Sequence, residues 1–184
     1  MTTQKQISAA AIACAMVLGL AACGSHDQID LGGVKIGMTH EQVLAVAPAG
    51  STLYCRGDGD AQFEQAAQLP PSTSATYCTW ATGTAGNLSV TPIMIGDTAS
   101  TEAKLVFSDD DKIASVAVAT PANAYTTVVK SLKDKLGSPD SDLGMGALTW
   151  TAADGTLELS QSEFGSPDTG TLLLLRPTRK AAAS

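Results

Sequence analysis

Four short apolar runs, joined in pairs by tight polar turns, restrict much of this chain to antiparallel sheet. Ala103-Lys104-Leu105-Val106-Phe107 and Lys112-Ile113-Ala114-Ser115-Val116-Ala117-Val118 flank the acidic turn Ser108-Asp109-Asp110-Asp111. Leu148-Thr149-Trp150-Thr151 and Thr156-Leu157-Glu158-Leu159-Ser160 flank Ala152-Ala153-Asp154-Gly155. Strand-length runs of β-branched and apolar residues around Asp- and Gly-bearing turns are hairpin signals. Thr52-Leu53-Tyr54-Cys55 and Thr76-Tyr77-Cys78-Thr79-Trp80 read as two further strands, separated by a loop rich in Gly, Asp, Gln and Pro. Leu88 to Ile95 contains Pro92 and reads as an edge strand at best. Thr171 to Leu175 reads as a last, central strand.

Two helices precede these strand groups. Thr39 sits at an N-cap position with Gln42 three residues on, which completes a capping box, and Met38 and Val43 are spaced for a hydrophobic staple. The helix is expected from His40 to Ala47, stopped by Pro48, with Val43, Val46 and Ala47 on the core. The second is expected to start from Thr120-Pro121. Its apolar stripe is Tyr125, Val128, Val129, Leu132 and Leu136, and Gly137 with Pro139 ends it. The class is therefore α+β. One domain over 29–177 contains two successive helix-plus-antiparallel-strand units, about 29–119 and 120–177, with helices packed on one sheet face.

The first 22 residues read as a signal peptide, not as fold. Lys5 precedes an apolar run from Ile7 to Leu20, which closes on Leu20-Ala21-Ala22-Cys23. That run is shorter than the roughly 20 apolar residues that cross a bilayer comfortably. Leu20-Ala21-Ala22-Cys23 resembles the lipobox of bacterial lipoproteins. The resemblance implies cleavage before Cys23, a thioether-linked diacylglycerol on that cysteine and a further acyl chain on its amino group. Each buried methylene contributes about 0.8 kcal/mol, so two or three chains hold a protein on a membrane where one does not. Residues 23–28 then form a lipidated tether and 178–184 a disordered tail. Gly24, where an inner-membrane signal would have aspartate, favours the periplasmic face of the outer membrane.

That compartment bears on the cysteines. Cys14 leaves with the signal and Cys23 takes lipid, which leaves Cys55 and Cys78. In an oxidising periplasm an isolated pair is expected to form a disulfide. A two-ligand metal site or a redox pair is the alternative, but the spacing is not CxxC and the chain has only 2 histidines.

Charge and composition exclude more than they select. A net charge of −7, from 18 acidic and 11 basic residues, is the wrong sign for a nucleic-acid binder. Arg176-Pro177-Thr178-Arg179-Lys180 is the one basic cluster and reads as part of a solvated tail.

Ile36-Gly37-Met38-Thr39-His40-Glu41-Gln42-Val43 resembles the opening of small envelope lipoproteins of the SmpA/OmlA type, and Leu105-Val106-Phe107 with its acidic turn resembles a later strand of that family. The resemblance implies a helix on a short antiparallel sheet, shared with the β-lactamase-inhibitor-protein-like fold, whose tandem form matches the two-unit order. It also implies a role in outer-membrane assembly or maintenance. Ala47-Pro48-Ala49-Gly50 departs from the family's Gly-x-Pro step, and the Cys-bounded loop is not a family hallmark.

Catalytic material is thin. There is no Gly-x-Ser-x-Gly elbow, HExxH or P-loop, and no cofactor is expected. His40 reads as an exposed helix-start residue, not a general base. Asp109-Asp110-Asp111 lacks the alternating ligands, central glycine and terminal glutamate of a calcium loop and reads as a solvated turn. Asp134 and Glu158 read as solvent-facing charges. Trp80 and Trp150 read first as packing residues. Alternatively they, with Tyr54 and Tyr77, anchor a partner, since aromatic residues dominate binding hot spots. The leading expectation is thus a non-enzymatic protein-binding or scaffold domain at the cell envelope, using a sheet face or the Cys-bounded loop. A periplasmic enzyme or small-ligand binder is the alternative, and inhibition of a periplasmic or secreted enzyme follows from fold analogy alone.

Overall fold

In the computed structural model, residues 28–161 and 170–178 are described. Residues 1–22, expected as a signal peptide, Cys23 with the expected tether to residue 27, residues 162–169, and the residues from 179 onward lie outside them. The elements run β1 (Asp30–Leu31), β2 (Val34–Lys35), α1 (His40–Leu44), β3 (Thr52–Cys55) and α2 (Ala61–Ala66). Then come β4 (Thr76–Thr84), β5 (Asn87–Val90), β6 (Met94–Ile95), β7 (Thr98–Ala99), β8 (Glu102–Phe107) and β9 (Ile113–Ala119). The second part contains α3 (Tyr125–Leu136), β10 (Ser141–Asp142), β11 (Leu148–Thr151), β12 (Thr156–Gln161) and β13 (Thr171–Arg176). The α+β class holds: one large antiparallel sheet has the order β10-β11-β12-β13-β9-β8-β4-β3, with β5 also on β4.

The sheet is two meanders joined by their last strands. β3, β4, β8 and β9 form one, β11, β12 and β13 the other, and β13 pairs with β9 through Leu173↔Val118 and Leu175↔Val116. All four of those side chains are fully buried. Both expected hairpins form, with Val106 and Phe107 marking an irregularity at the acidic turn. β13 is central, as its unbroken leucines suggest, because a central strand needs apolar cover on its core face and pairing on both edges.

The pairings also bring several segments to one end of the sheet. Arg176 pairs with Thr156, Ile113 with Phe107, Phe107 with Thr76, and Cys55 with Cys78. At that same end the Ile29 N–H donates to Asp154 and the Thr178 hydroxyl to the Ala152 carbonyl. Thr178, assigned to a disordered tail from sequence, is therefore held by the fold.

α3 matches its expected stripe, with Val128, Leu132 and Leu136 buried and Tyr125 and Val129 packed beside them. Its start differs. Thr120 does not cap it; instead the Thr120 hydroxyl lies 2.9 Å from that of Thr171 and accepts the Thr171 N–H, extending the β9–β13 seam. Ala124 then precedes the helix without a side-chain cap. Gly137 ends it at φ 70°, a left-handed conformation that favours glycine.

α1 is shorter than expected and ends at Leu44, although the Thr39–Gln42 capping box is present in both directions. Only Val43 faces the core fully, and Val46 is exposed, because the chain leaves helical geometry before another turn is complete. Leu88 to Ile95 is likewise not one strand: the segment around Pro92 separates β5 from β6, which pairs with β7.

A second correction concerns the faces. α1 and α3 pack on the face that carries Leu53, Trp80, Leu105 and Leu173. α2 packs on the opposite face, where Phe63, Ala67 and Leu69 form a separate cluster with Tyr54 and Ala81. Adjacent strand residues point to opposite faces, so Leu53 and Tyr54 necessarily enter different cores. The helices are therefore not confined to one face.

Two changes probe this arrangement. Leu173→Ala should destabilise by about 2–5 kcal/mol, since a fully buried seam position leaves a cavity, and a urea midpoint at unchanged slope measures it. The second concerns the β1–α3 clip, in which Lys135 Nζ lies 3.0 Å from both Asp30 oxygens. Partial burial opposes ionisation of Asp30, but Lys135 and the Gly33 N–H outweigh it and hold the carboxyl below its ordinary value. A depressed carboxylate adds stability above its unfolded pKa that is lost as pH falls through the folded one. Lys135→Gln should therefore lose stability at neutral pH and approach the parent as pH falls through the lowered folded pKa of Asp30, as read from unfolding curves across an acid pH series.

Candidate functional site

At the sheet end defined above, a cleft of about 530 Å³ opens beside the disulfide. Three local structures build it. The first is the entry to α1: Thr39 forms an isolated bridge with Lys112, and backbone bonds link Gly37 and Met38 to Ile113. These carry His40 over to the β8–β9 turn, where its ring lies 5.3 Å from that of Phe107. Its Nδ1 is 4.0 Å from Asp111 Oδ1, a loose contact between side chains 40% and 70% exposed.

The second structure is the acidic turn itself. Ser108 donates to Asp110 and lies 2.9 Å from the Lys112 carbonyl, and the Lys112 ammonium is 3.2 Å from Asp110. Ser108 and Lys112 hold the Asp110 carboxyl below its usual range. Asp110 is thus used within the turn, whereas Asp109 and Asp111 line the cleft.

The third is the Cys-bounded segment. Cys55 and Cys78 are directly opposed on β3 and β4 and form a disulfide. Asp58 accepts the Cys55 N–H at 2.8 Å and so folds the chain back immediately after the cysteine. Arg56 is engaged on its other side: Nε is 2.9 Å from Glu64 and Nη1 donates to the Leu69 carbonyl. Glu64, buried, also accepts the Gly57 N–H. Tyr54 packs edge-on to Phe63 at 4.8 Å, its hydroxyl accepts the Asp60 N–H, and burial pushes its pKa up. What reads from sequence as a loop is thus a folded segment clamped to the sheet.

The cleft therefore presents Asp58, Asp109 and Asp111 around His40, with Arg56 largely occupied by Glu64. Its field is negative, and the His40 and Asp111 side chains are open to solvent. Ser108, whose hydroxyl serves the turn, is not aligned on His40. The arrangement suits binding of a cationic group better than acid–base catalysis. Among the described residues, no group of three or more His, Cys, Asp or Glu side chains is placed to hold a metal ion.

The aromatic candidates fall elsewhere. Trp80 and Trp150 are fully buried in the main core, and Tyr54 is buried in the smaller one. None of these three can anchor a partner on the folded surface, which corrects the alternative role allowed for them. Trp150 Nε1 donates to the Gly137 carbonyl at 3.0 Å, so it also locks the end of α3. Tyr77 is half-buried against the smaller cluster. Of the cleft residues, His40, Phe107 with the acidic turn, and Cys55 stand out in the sequence, whereas Arg56 and Asp58 do not. Asp58, three residues after a cysteine in a Gly-rich stretch, was the available turn signal.

The chain matches no family model, and neither its sequence nor its fold has a significant counterpart among characterised proteins and solved structures.

Replacing both Cys55 and Cys78 by serine should reduce stability by about 3 kcal/mol, the loop-closure value for this separation. Hydrogen exchange of residues 56–75 should rise more than that of β9 and β13, because the cross-link holds the cleft side specifically.

Proposed function

We propose that this chain is an exported lipoprotein of the cell envelope, held on a membrane by lipid on Cys23, whose domain binds another protein without catalysis. The observation that carries the reading is the Cys55–Cys78 disulfide, which fits an oxidising compartment and independently agrees with the lipobox-like Leu20-Ala21-Ala22-Cys23. The binding part rests on the cleft beside that disulfide. Its open, carboxylate-lined form suits a basic extended segment of a partner, which could lie along it and pair with Asp58, Asp109 and Asp111.

The two meanders, each preceded by a helix, support the finer reading of a tandem inhibitor-protein-like arrangement. A role in outer-membrane assembly or maintenance follows only through the likeness of the α1 entry. The second reading, a small-ligand binder, draws on the same cleft, where His40 and three carboxylates line a volume large enough for a small molecule.

Crosslinking in intact cells tests the reading. Asp109→Lys together with Asp111→Asn should abolish capture of a specific envelope protein, with thermal unfolding unchanged because both side chains are exposed and asparagine tolerates the left-handed φ of 57° at position 111. Cys23→Ser should move the chain out of the membrane fraction. A variant that stays there without acylation sinks the anchor, and capture unaffected by charge reversal sinks the cleft.

A further inference from the structure

We propose that the domain rests on the bilayer through the groove between the β1–β2 hairpin and α1, with phospholipid as its occupant. The inference deepens the anchoring just proposed and rests on it. The groove has a volume of about 430 Å³ and is walled by Gln28, Lys35, Ile36, Met38 and Val46. Gln28 is where the chain arriving from Cys23 joins the fold. The six residues from Cys23 to Ile29 reach at most about 20 Å when fully extended, and Ile29 is fixed by Asp154 at the cleft end of the sheet. The cleft end of the sheet is therefore held within about 20 Å of the anchoring membrane.

The chemistry of the groove fits that placement. Val46, 36% exposed, stands on its α1 side, with Ile36 and Met38 half-buried behind it. Apolar side chains at headgroup depth gain contact with acyl chains. The Lys35 ammonium, 2.6 Å from the Gln28 side-chain oxygen, sits on the rim within range of a lipid phosphate. The competing apolar surface is Leu143 and Met145, 73% and 71% exposed, which precede β11 at the far end of the sheet. The tether joins the fold at Gln28, on the wall of the groove and at the other end of the sheet from that pair.

Hydrogen exchange on the full acylated chain in vesicles of phosphatidylethanolamine and phosphatidylglycerol tests this against the unacylated Cys23→Ser chain free in solution. Amides of residues 33–46 should slow by about tenfold in the vesicles, while residues 84–87 and 143–147 are unchanged. Val46→Glu, at the surface, should remove that protection while the chain still floats with the vesicles. Protection centred on 143–147, or none on a chain that floats, overturns the proposal. The mass of the Cys23 peptide is read in the same sample. An unacylated peptide overturns the anchor together with this inference, and an acylated one without groove protection overturns this inference alone.

Discussion

The β9–β13 pairing is the contact on which the rest of the structure depends. Each meander alone would be a small sheet with one bare edge and half a core. Joined, Val116, Val118, Leu173 and Leu175 become fully buried at the centre of a continuous layer. The Thr120–Thr171 hydroxyl pair extends the seam by side-chain bonding where the ladder ends. These residues are more than fifty positions apart, so the seam closes only after a long loop has been ordered. Its buried leucines and valines must offset that loss of chain entropy. The β8–β9 and β11–β12 hairpins need no such closure, and their partners are local.

That difference between local and distant partners explains what was legible. Both hairpins, the β13 run and the α3 stripe could be read because their signals are turn residues and periodicities within a dozen positions. The capping box at Thr39 was equally local and was found in the structure atom for atom. α2 was not legible: Ala61–Ala66 contains one large apolar residue, Phe63, and its stability comes from the Asp60 cap, Tyr54 and the Arg56–Glu64 pair. Its position on the second sheet face follows from the alternation of Leu53 and Tyr54, which is written in the sequence but acquires meaning only when both faces are known to be covered. Thr120 misled for the opposite reason. Its local cap signal was sound, and a distant strand claimed the hydroxyl.

The candidate site shows the same division. The acidic turn, His40 and Cys55 each carried a local signal, and each was read in isolation as a turn, a helix start and half of a disulfide. Their convergence depends on the Thr39–Lys112 bridge and on the β4–β8 register, which span from about thirty to more than seventy residues of sequence. The tryptophans went the other way. A large amphipathic side chain on a strand suits both a core and a binding face, and only the presence of α1 and α3 over their side of the sheet decides for the core.

The cleft, the disulfide and both described chain ends share one end of the sheet, and that end is built differently from the rest. Elements at that end are held by few long ladders. α1 is five residues long, and the segment from 56 to 75 is fixed by one short helix, a disulfide and a handful of polar bonds. The opposite requirement, rigidity, is met by β8, β9, β12 and β13, whose long ladders lie behind the cleft. A binding surface made of short, separately clamped pieces on a stiff sheet can adjust to a partner without disturbing the core. The disulfide limits that adjustment where it matters most, since it joins the two strands that carry the cleft floor. Oxidation of Cys55 and Cys78 therefore shapes the cleft as well as stabilising the fold.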